Sequence, residues 1–279
     1  MKSILTSALC LIFTALLLTS CTDTTGRSDD IPDNVAELDP HVGASAAADN
    51  ISKLDTAKQG WGQGTEKNAD GVPVSCLQFN EKYGIYDAIF VGEKEKVIYL
   101  TFDQGYENGY TAPILDTLKE KGVPATFFLT YEYVKSEKDL IGRMVAEGHT
   151  LGNHSRSHKS FPTMSGDEVI EDIVFLHDAV KTQFDVDITL FRFPMGEFSE
   201  QCLSLIQSYG YKSVFWSFAY KDWLVDAQPD PVSSLQKLKD NLHPGAIYLL
   251  HSVSSTNAQI LSDFIDYAQS QGYSFGIPA

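Results

Sequence analysis

The sequence predicts an α/β fold: a parallel sheet with helices packed outside it, closed as a barrel. Three observations carry that expectation. Segments of β-rich composition alternate with segments of helical spacing from Val97 to Gln271. The strand segments are apolar on both faces, as strands buried between helix layers are. The residues able to do chemistry fall at or just past the carboxyl ends of those strands, where barrel active sites are assembled from several loops. An open doubly wound sheet fits the alternation equally well, but five convergent loops suit a barrel better than a single crevice. Gly105-Tyr-Glu-Asn-Gly109 also lacks the spacing of a dinucleotide-binding turn.

The elements follow in order. Residues 97–102 are a short β-rich run, and 113–121 have helical spacing closed by Gly122. Then come strand 125–129, helix 138–147, strand 150–153 and a helix opened by the capping box Ser165-Gly-Asp-Glu168. Strand 188–192, helix 200–209, strand 213–217, helix 231–242, strand 246–250 and helix 257–271 complete the series.

Ahead of this series the composition changes twice. Lys2, the apolar run 4–18 and the small pair Thr19-Ser20 before Cys21 have the anatomy of a cleaved signal. That run is shorter than the roughly 20 residues a spanning helix needs. Leu18-Thr-Ser-Cys21 resembles the lipobox of bacterial lipoproteins, which makes Cys21 the expected lipid anchor. Residues 22–55 are rich in Ser, Thr, Asp and Ala and bury too little to offset their ordering entropy. The expected organisation is therefore a lipoprotein signal peptide over 1–20, a lipid-anchored acidic flexible linker over 21–57 and a folded domain over 58–279. Such a chain works outside the cytoplasm, on the cell membrane and facing the wall. Of the four cysteines, Cys76 and Cys202 remain in the domain, and their pairing is left open.

The chain carries a net charge of −16, which disfavours nucleic acid as a partner. With 43% hydrophobic and 21% charged residues, most of it should nevertheless fold. Eight acids lie in the linker against Arg27 and Lys53, so the domain is less acidic than the whole.

On the predicted rim stand Asp103 and Gln104, His154 and His158, Arg192, Asp222 and Trp223, and His251. Taken singly, each has an ordinary reading as a turn acid, a chance histidine pair, a surface arginine or a satisfied core histidine. Together they supply the parts for metal-assisted hydrolysis of an amide or ester. His154 and His158 would hold an ion if the loop makes a helical turn, Asp103 would act as base, and His251 as acid. Arg192 would keep Asp103 ionised, and Asp222 would favour the charged form of His251.

Thr101-Phe-Asp-Gln-Gly105, His154-x-x-x-His158, Arg192-Phe-Pro-Met-Gly196, Asp222-Trp223 and Leu249-Leu-His251 resemble, in order, the five motifs of the polysaccharide deacetylases, carbohydrate esterase family four. The resemblance implies a distorted (β/α) barrel and a divalent metal ion, expected to be zinc, that helps remove acetyl groups from sugars. It implies base at Asp103, metal at His154 and His158, acid at His251, tethers at Arg192 and Asp222, and an acetyl pocket lined by Trp223 and Leu249. One position departs: the family's third metal ligand is an aspartate where this chain has Gln104, so that ligand is weak or absent here. Phe102-Asp-Gln-Gly-Tyr-Glu-Asn-Gly-Tyr-Thr111 and residues 243–251 resemble the branch that deacetylates N-acetylmuramic acid on the way to muramic δ-lactam in spore cortex. The implied partner is the peptidoglycan glycan strand. Arg156 and Lys221 are the candidate cations for the lactyl carboxylate. Two other readings remain: a deacetylase of N-acetylglucosamine in peptidoglycan or chitin-like oligomers, and a non-catalytic glycan-binding lipoprotein.

Overall fold

The computed structural model describes residues 50–278. The expected signal peptide, Cys21 and the linker up to residue 49 lie outside the described residues. In chain order the elements are β1 (Gln59–Gly60), α1 (Val74–Tyr83), β2 (Ala88–Ile89), β3 (Val97–Gln104), α2 (Thr111–Lys121), β4 (Thr126–Leu129), α3 (Tyr131–Ser136), α4 (Lys138–Ala146) and β5 (Thr150–Asn153). They continue with α5 (Gly166–Phe184), β6 (Leu190–Phe191), β7 (Glu197–Phe198), α6 (Glu200–Ser208), β8 (Lys212–Val214), β9 (Phe218–Ala219), α7 (Pro231–Asp240), β10 (Ile247–His251), α8 (Ser255–Ser270) and β11 (Ser274–Phe275).

The helix boundaries follow from local chemistry. Gly122 stops α2 at φ 63°, returning its N–H to the carbonyls of Leu118 and Lys119. Ser165 and Glu168 form the expected capping box at the start of α5. Asp230 caps α7 ahead of Pro231, whose missing N–H costs nothing at the first helical position.

The sheet runs β2-β8-β6-β5-β4-β3-β10-β9, with β11 beside the start of β3, and every pairing in it is parallel. The predicted strand 213–217 is the point where its two ends meet. β8 pairs with β2 and β6 on one side, while β9, three residues further on, pairs with β10 at the opposite end. Between them, Phe215 donates to the Ile89 carbonyl and Ser217 to that of Ile247. One extended run therefore bridges both ends, and the sheet curls into the expected distorted barrel.

Strand alternation divides the core. Leu100, Phe102, Phe127, Tyr248 and Leu250 pack with Ile114 and Leu118 of α2 and Phe264 of α8. Phe128, Ile247 and Leu249 join an aromatic cluster with Trp61, Phe90, Phe193, Phe215 and Trp216. Gly152 is required beside that cluster, because a Cβ there would come within 2.4 Å of the Phe128 ring.

Several expectations need correction. The domain does not begin cleanly at residue 58: Gln201 donates from its backbone to the Asp55 carbonyl and from its side chain to that of Ile51, so residues assigned to the linker already pack on α6. The short strands β1, β2 and β7 and the helices α1 and α3 were not anticipated. Two-residue strands carry no periodicity, and α1 buries only Cys76 and Tyr83. Those free cysteines, Cys76 and Cys202, are both buried, and no disulfide joins them.

Candidate active site

Register places the chemistry. β10 pairs with β3 so that His251 lies opposite Asp103, and β4 sets Phe128 on the other flank of Asp103. Asn153, the last residue of β5, pairs with Phe191, which brings His154 and Arg192 to neighbouring positions just past the strand ends. A cavity of about 820 Å³ opens there, lined by Asp103, His154, His158, Trp223, Leu249 and His251 among others.

Asp103 is the centre of the site. Arg192, with no exposed surface, donates from Nη1 to Asp103 Oδ1 at 2.8 Å and to Thr101 Oγ1 at 2.8 Å. Its Nε and Nη2 reach the carbonyls of Val214 and Phe215, and its plane lies 4.1 Å from the Phe128 ring centroid. Burial alone would push the Asp103 carboxyl up; the charge that His154 takes on only in acid and the permanent charge of Arg192 outweigh it and hold Asp103 below the ordinary carboxylate range. The base is therefore ionised at neutral pH.

Across the rim His251 has the opposite bias. Its Nδ1–H donates to Asp222 Oδ1 at 2.7 Å, and the other carboxylate oxygen accepts the His251 backbone N–H and the Asn257 side-chain amide. Burial lowers the imidazole pKa, but the hydrogen bond and charge of Asp222 reverse this and raise it above the ordinary value. Trp223 lies beside the ring with centroids 5.5 Å apart. Tyr106 secures Trp223 by donating from its hydroxyl to the Trp223 carbonyl at 3.2 Å.

His154 turns Nδ1–H to the Arg192 carbonyl at 2.9 Å, which leaves the Nε2 lone pair facing Asp103 Oδ2 at 3.4 Å. Burial lowers its pKa to about 4, so it stays neutral, as a metal ligand must. The His158 ring centroid is 5.0 Å away. The expected helical turn is absent: a loop with left-handed residues at Ser155 (φ 72°) and His158 (φ 51°) makes the approach instead.

Gln104 does not join them. Alternation points it to the face opposite Asp103, where it is fully buried, donates to Ser252 Oγ and leaves Oε1 without a partner. Among the described residues no group of three or more His, Cys, Asp or Glu converges to hold an ion. The donor chemistry of the His154–His158 pair nevertheless suits a divalent cation that completes its coordination with oxygen from water or substrate.

Arg156 and Lys221 both line the cavity. Arg156 is paired with Glu171 at 3.0 Å and covers the Phe175 ring, whereas Lys221 has no ion pair among the described residues. Sequence reasoning missed Asn257, Tyr106 and Asp172. Asn257 and Asp172 each lie on the buried stripe of their helix, α8 and α5 respectively, and a polar residue on an apolar stripe was the available signal.

A curled parallel sheet with an ionised carboxylate and a carboxylate-held imidazole at its rim defines a barrel hydrolase. The chain belongs to the polysaccharide deacetylase family, carbohydrate esterase family four. The family profile for polysaccharide deacetylase matches residues 91–214. The chain is 44% identical over 205 residues to the peptidoglycan-N-acetylmuramic acid deacetylase PdaA of Bacillus subtilis (strain 168), covering 73% of this chain and 78% of that protein. It is 30% identical over 190 residues to a peptidoglycan-N-acetylglucosamine deacetylase of Bacillus cereus, covering 66% and 87%. The solved structure of Bacillus subtilis PdaA superposes with a TM-score of 0.76 at 38% identity, covering 80% of this chain and 96% of that one.

Replacing one member of the buried Asp103–Arg192 pair should cost about 3–5 kcal/mol, because the remaining charge is stranded. R192M alone should therefore lose that amount in urea unfolding, and D103N/R192M should regain most of it. A double variant no more stable than R192M contradicts the pairing.

Proposed function

We propose that this chain hydrolyses the N-acetyl amide of N-acetylmuramic acid in peptidoglycan, releasing acetate and leaving an amine that can close onto the lactyl carboxylate as muramic δ-lactam. The observation that carries the reading is the juxtaposition of Asp103 and His251, biased to opposite protonation states on adjacent strands. His154 and His158 would hold a divalent ion, with zinc favoured by their imidazole donors, and such an ion would polarise the acetyl carbonyl and acidify a water. Asp103 takes the proton of the attacking water as its oxygen bonds to the acetyl carbon. His251 gives its proton to the sugar nitrogen as the C–N bond breaks, and Asp222 balances the imidazolium beforehand. Trp223 and Leu249 supply apolar surface for the acetyl methyl group.

The muramic specificity is supported by the 44% identical relative and by Lys221, a cation on the cavity wall with no ion pair among the described residues and suited to the lactyl carboxylate. Arg156 is the lesser candidate because Glu171 already holds it. Acetate release from peptide-free muramic glycan and from chitin oligomers tests the reading directly. Muramic glycan should be turned over, a chelator should abolish this, and added Zn²⁺ should restore it. K221A should raise KM about tenfold with little change in kcat. Acetate from chitin oligomers alone would transfer the specificity to glucosamine, and none from either would leave a glycan-binding protein.

The pH dependence has a definite sign. Activity requires His251 protonated, so kcat/KM should fall as pH rises through its elevated pKa. D222N removes the charge that elevates it, and the alkaline limb should shift downward by about 1–3 units. An unmoved limb removes His251 from the role of acid.

Residues 1–21 support the further reading that the enzyme is an extracytoplasmic lipoprotein anchored at Cys21. C21A should move it from the membrane fraction to the soluble extracytoplasmic fraction; retention on membranes would refute the anchor.

A further inference from the structure

One buried acid faces neither the cavity nor a cation. Asp172, in the middle of α5, is 4% exposed and has no ion pair among the described residues. Its two oxygens accept consecutive backbone N–H groups, from Arg156 at 2.6 Å and from Ser157 at 3.0 Å. These residues lie between His154 and His158. The loop holds no glycine, although Ser155 and His158 are both left-handed, a conformation that L side chains adopt only when surrounding contacts impose it. Within the loop and its strand, the Asn153 side chain accepts the Ser155 N–H at 2.9 Å and Ser155 Oγ accepts the His158 N–H at 2.8 Å. From outside the loop, His154 is also bonded to the carbonyls of Leu129 and Arg192, and the Arg156 guanidinium meets Glu171 and Phe175, but Asp172 is the outside group that holds the backbone N–H groups of the two residues between Ser155 and His158.

We propose that Asp172 is the positioning residue of the His154–His158 pair, fixing the loop so that both imidazoles present to one cation. The proposal rests on the reading of that pair as an ion site. An asparagine could accept only one of the two N–H groups and would set its own NH₂ against the other. A buried acid whose two oxygens both accept backbone N–H groups is matched to this loop by geometry, which an asparagine or an apolar residue would not reproduce.

Titration of Co²⁺ into the metal-free protein and into D172N, below the melting temperature of both, tests this. D172N should keep its far-ultraviolet circular dichroism and bind Co²⁺ at least tenfold more weakly, within the range for residues that orient metal ligands. A purely structural acid would lower the melting temperature and leave the affinity of the folded protein unchanged; that result overturns the proposal. Failure of the parent protein to bind Co²⁺ would remove the ion site itself, and the proposal with it. Amide exchange in the metal-free parent gives a readout that does not depend on the variant folding. The Arg156 and Ser157 amides should be protected like strand amides, and exchange at free-loop rates would overturn the role assigned to Asp172.

Discussion

The buried contact between Arg192 and Asp103 is the interaction on which the rest of this site depends. A guanidinium with no exposed surface would be costly unless each donor found a partner, and four do: Asp103, Thr101 and the carbonyls of Val214 and Phe215. Those partners come from β3, from the end of β8 and from the run that leads to β9. The same run bridges the two ends of the sheet, so Arg192 ties the base to the segment that closes the barrel. Arg192 also offers its backbone carbonyl to His154, and one residue thereby fixes both the charge of the base and the tautomer of a candidate ligand.

The second organising feature is the contrast between the two carboxylates. Asp103 and Asp222 are both buried and both hydrogen bonded, yet their partners differ in kind. Asp103 meets a permanent cation and is left free to accept a proton on the cavity side. Asp222 meets an imidazole, a backbone N–H and the Asn257 amide, so its charge is directed at His251, whose pKa it raises. Tyr220 in turn donates to Asn257 Oδ1, fixing which end of that amide faces Asp222. Groups of similar chemistry acquire opposite proton duties through environment alone.

What could be read from the sequence follows the same physics. The strands β3, β4 and β10 were legible because each is a short β-rich, largely apolar run followed by polar residues at its carboxyl end, and the rim residues were legible for the same reason; β5, Thr150-Leu-Gly-Asn153, was legible chiefly from its place between two helical segments. The element from residue 213 to 217 was legible as one strand, but its division between the two ends of a curled sheet was not, because pairing partners leave no mark on local composition. Residues 59–91 were nearly silent, since β1 and β2 are two residues long and Trp61 acts at long range, donating to the carbonyls of Gly196 and Trp216. The direction of Gln104 was available in principle: a residue adjacent to an inward-facing Asp103 on a regular strand must face outward.

That direction bears on how the site handles charge. Asp103 and Arg192 cancel, His154 is neutral, and Gln104 contributes an uncharged amide to the opposite face. The His154–His158 corner of the cavity therefore presents two imidazoles and, among the described residues, no second carboxylate beside Asp103. A cation bound there would be held chiefly by nitrogen donors and by whatever oxygen the substrate or water supplies, leaving more of its coordination open than a site with a second carboxylate would. Open positions favour polarising a substrate carbonyl, while the smaller local charge weakens retention of the ion. The loop must then be rigid, because two ligands that wander lose more affinity than three. A histidine loop with two left-handed residues, clamped by a buried carboxylate from α5, meets that requirement.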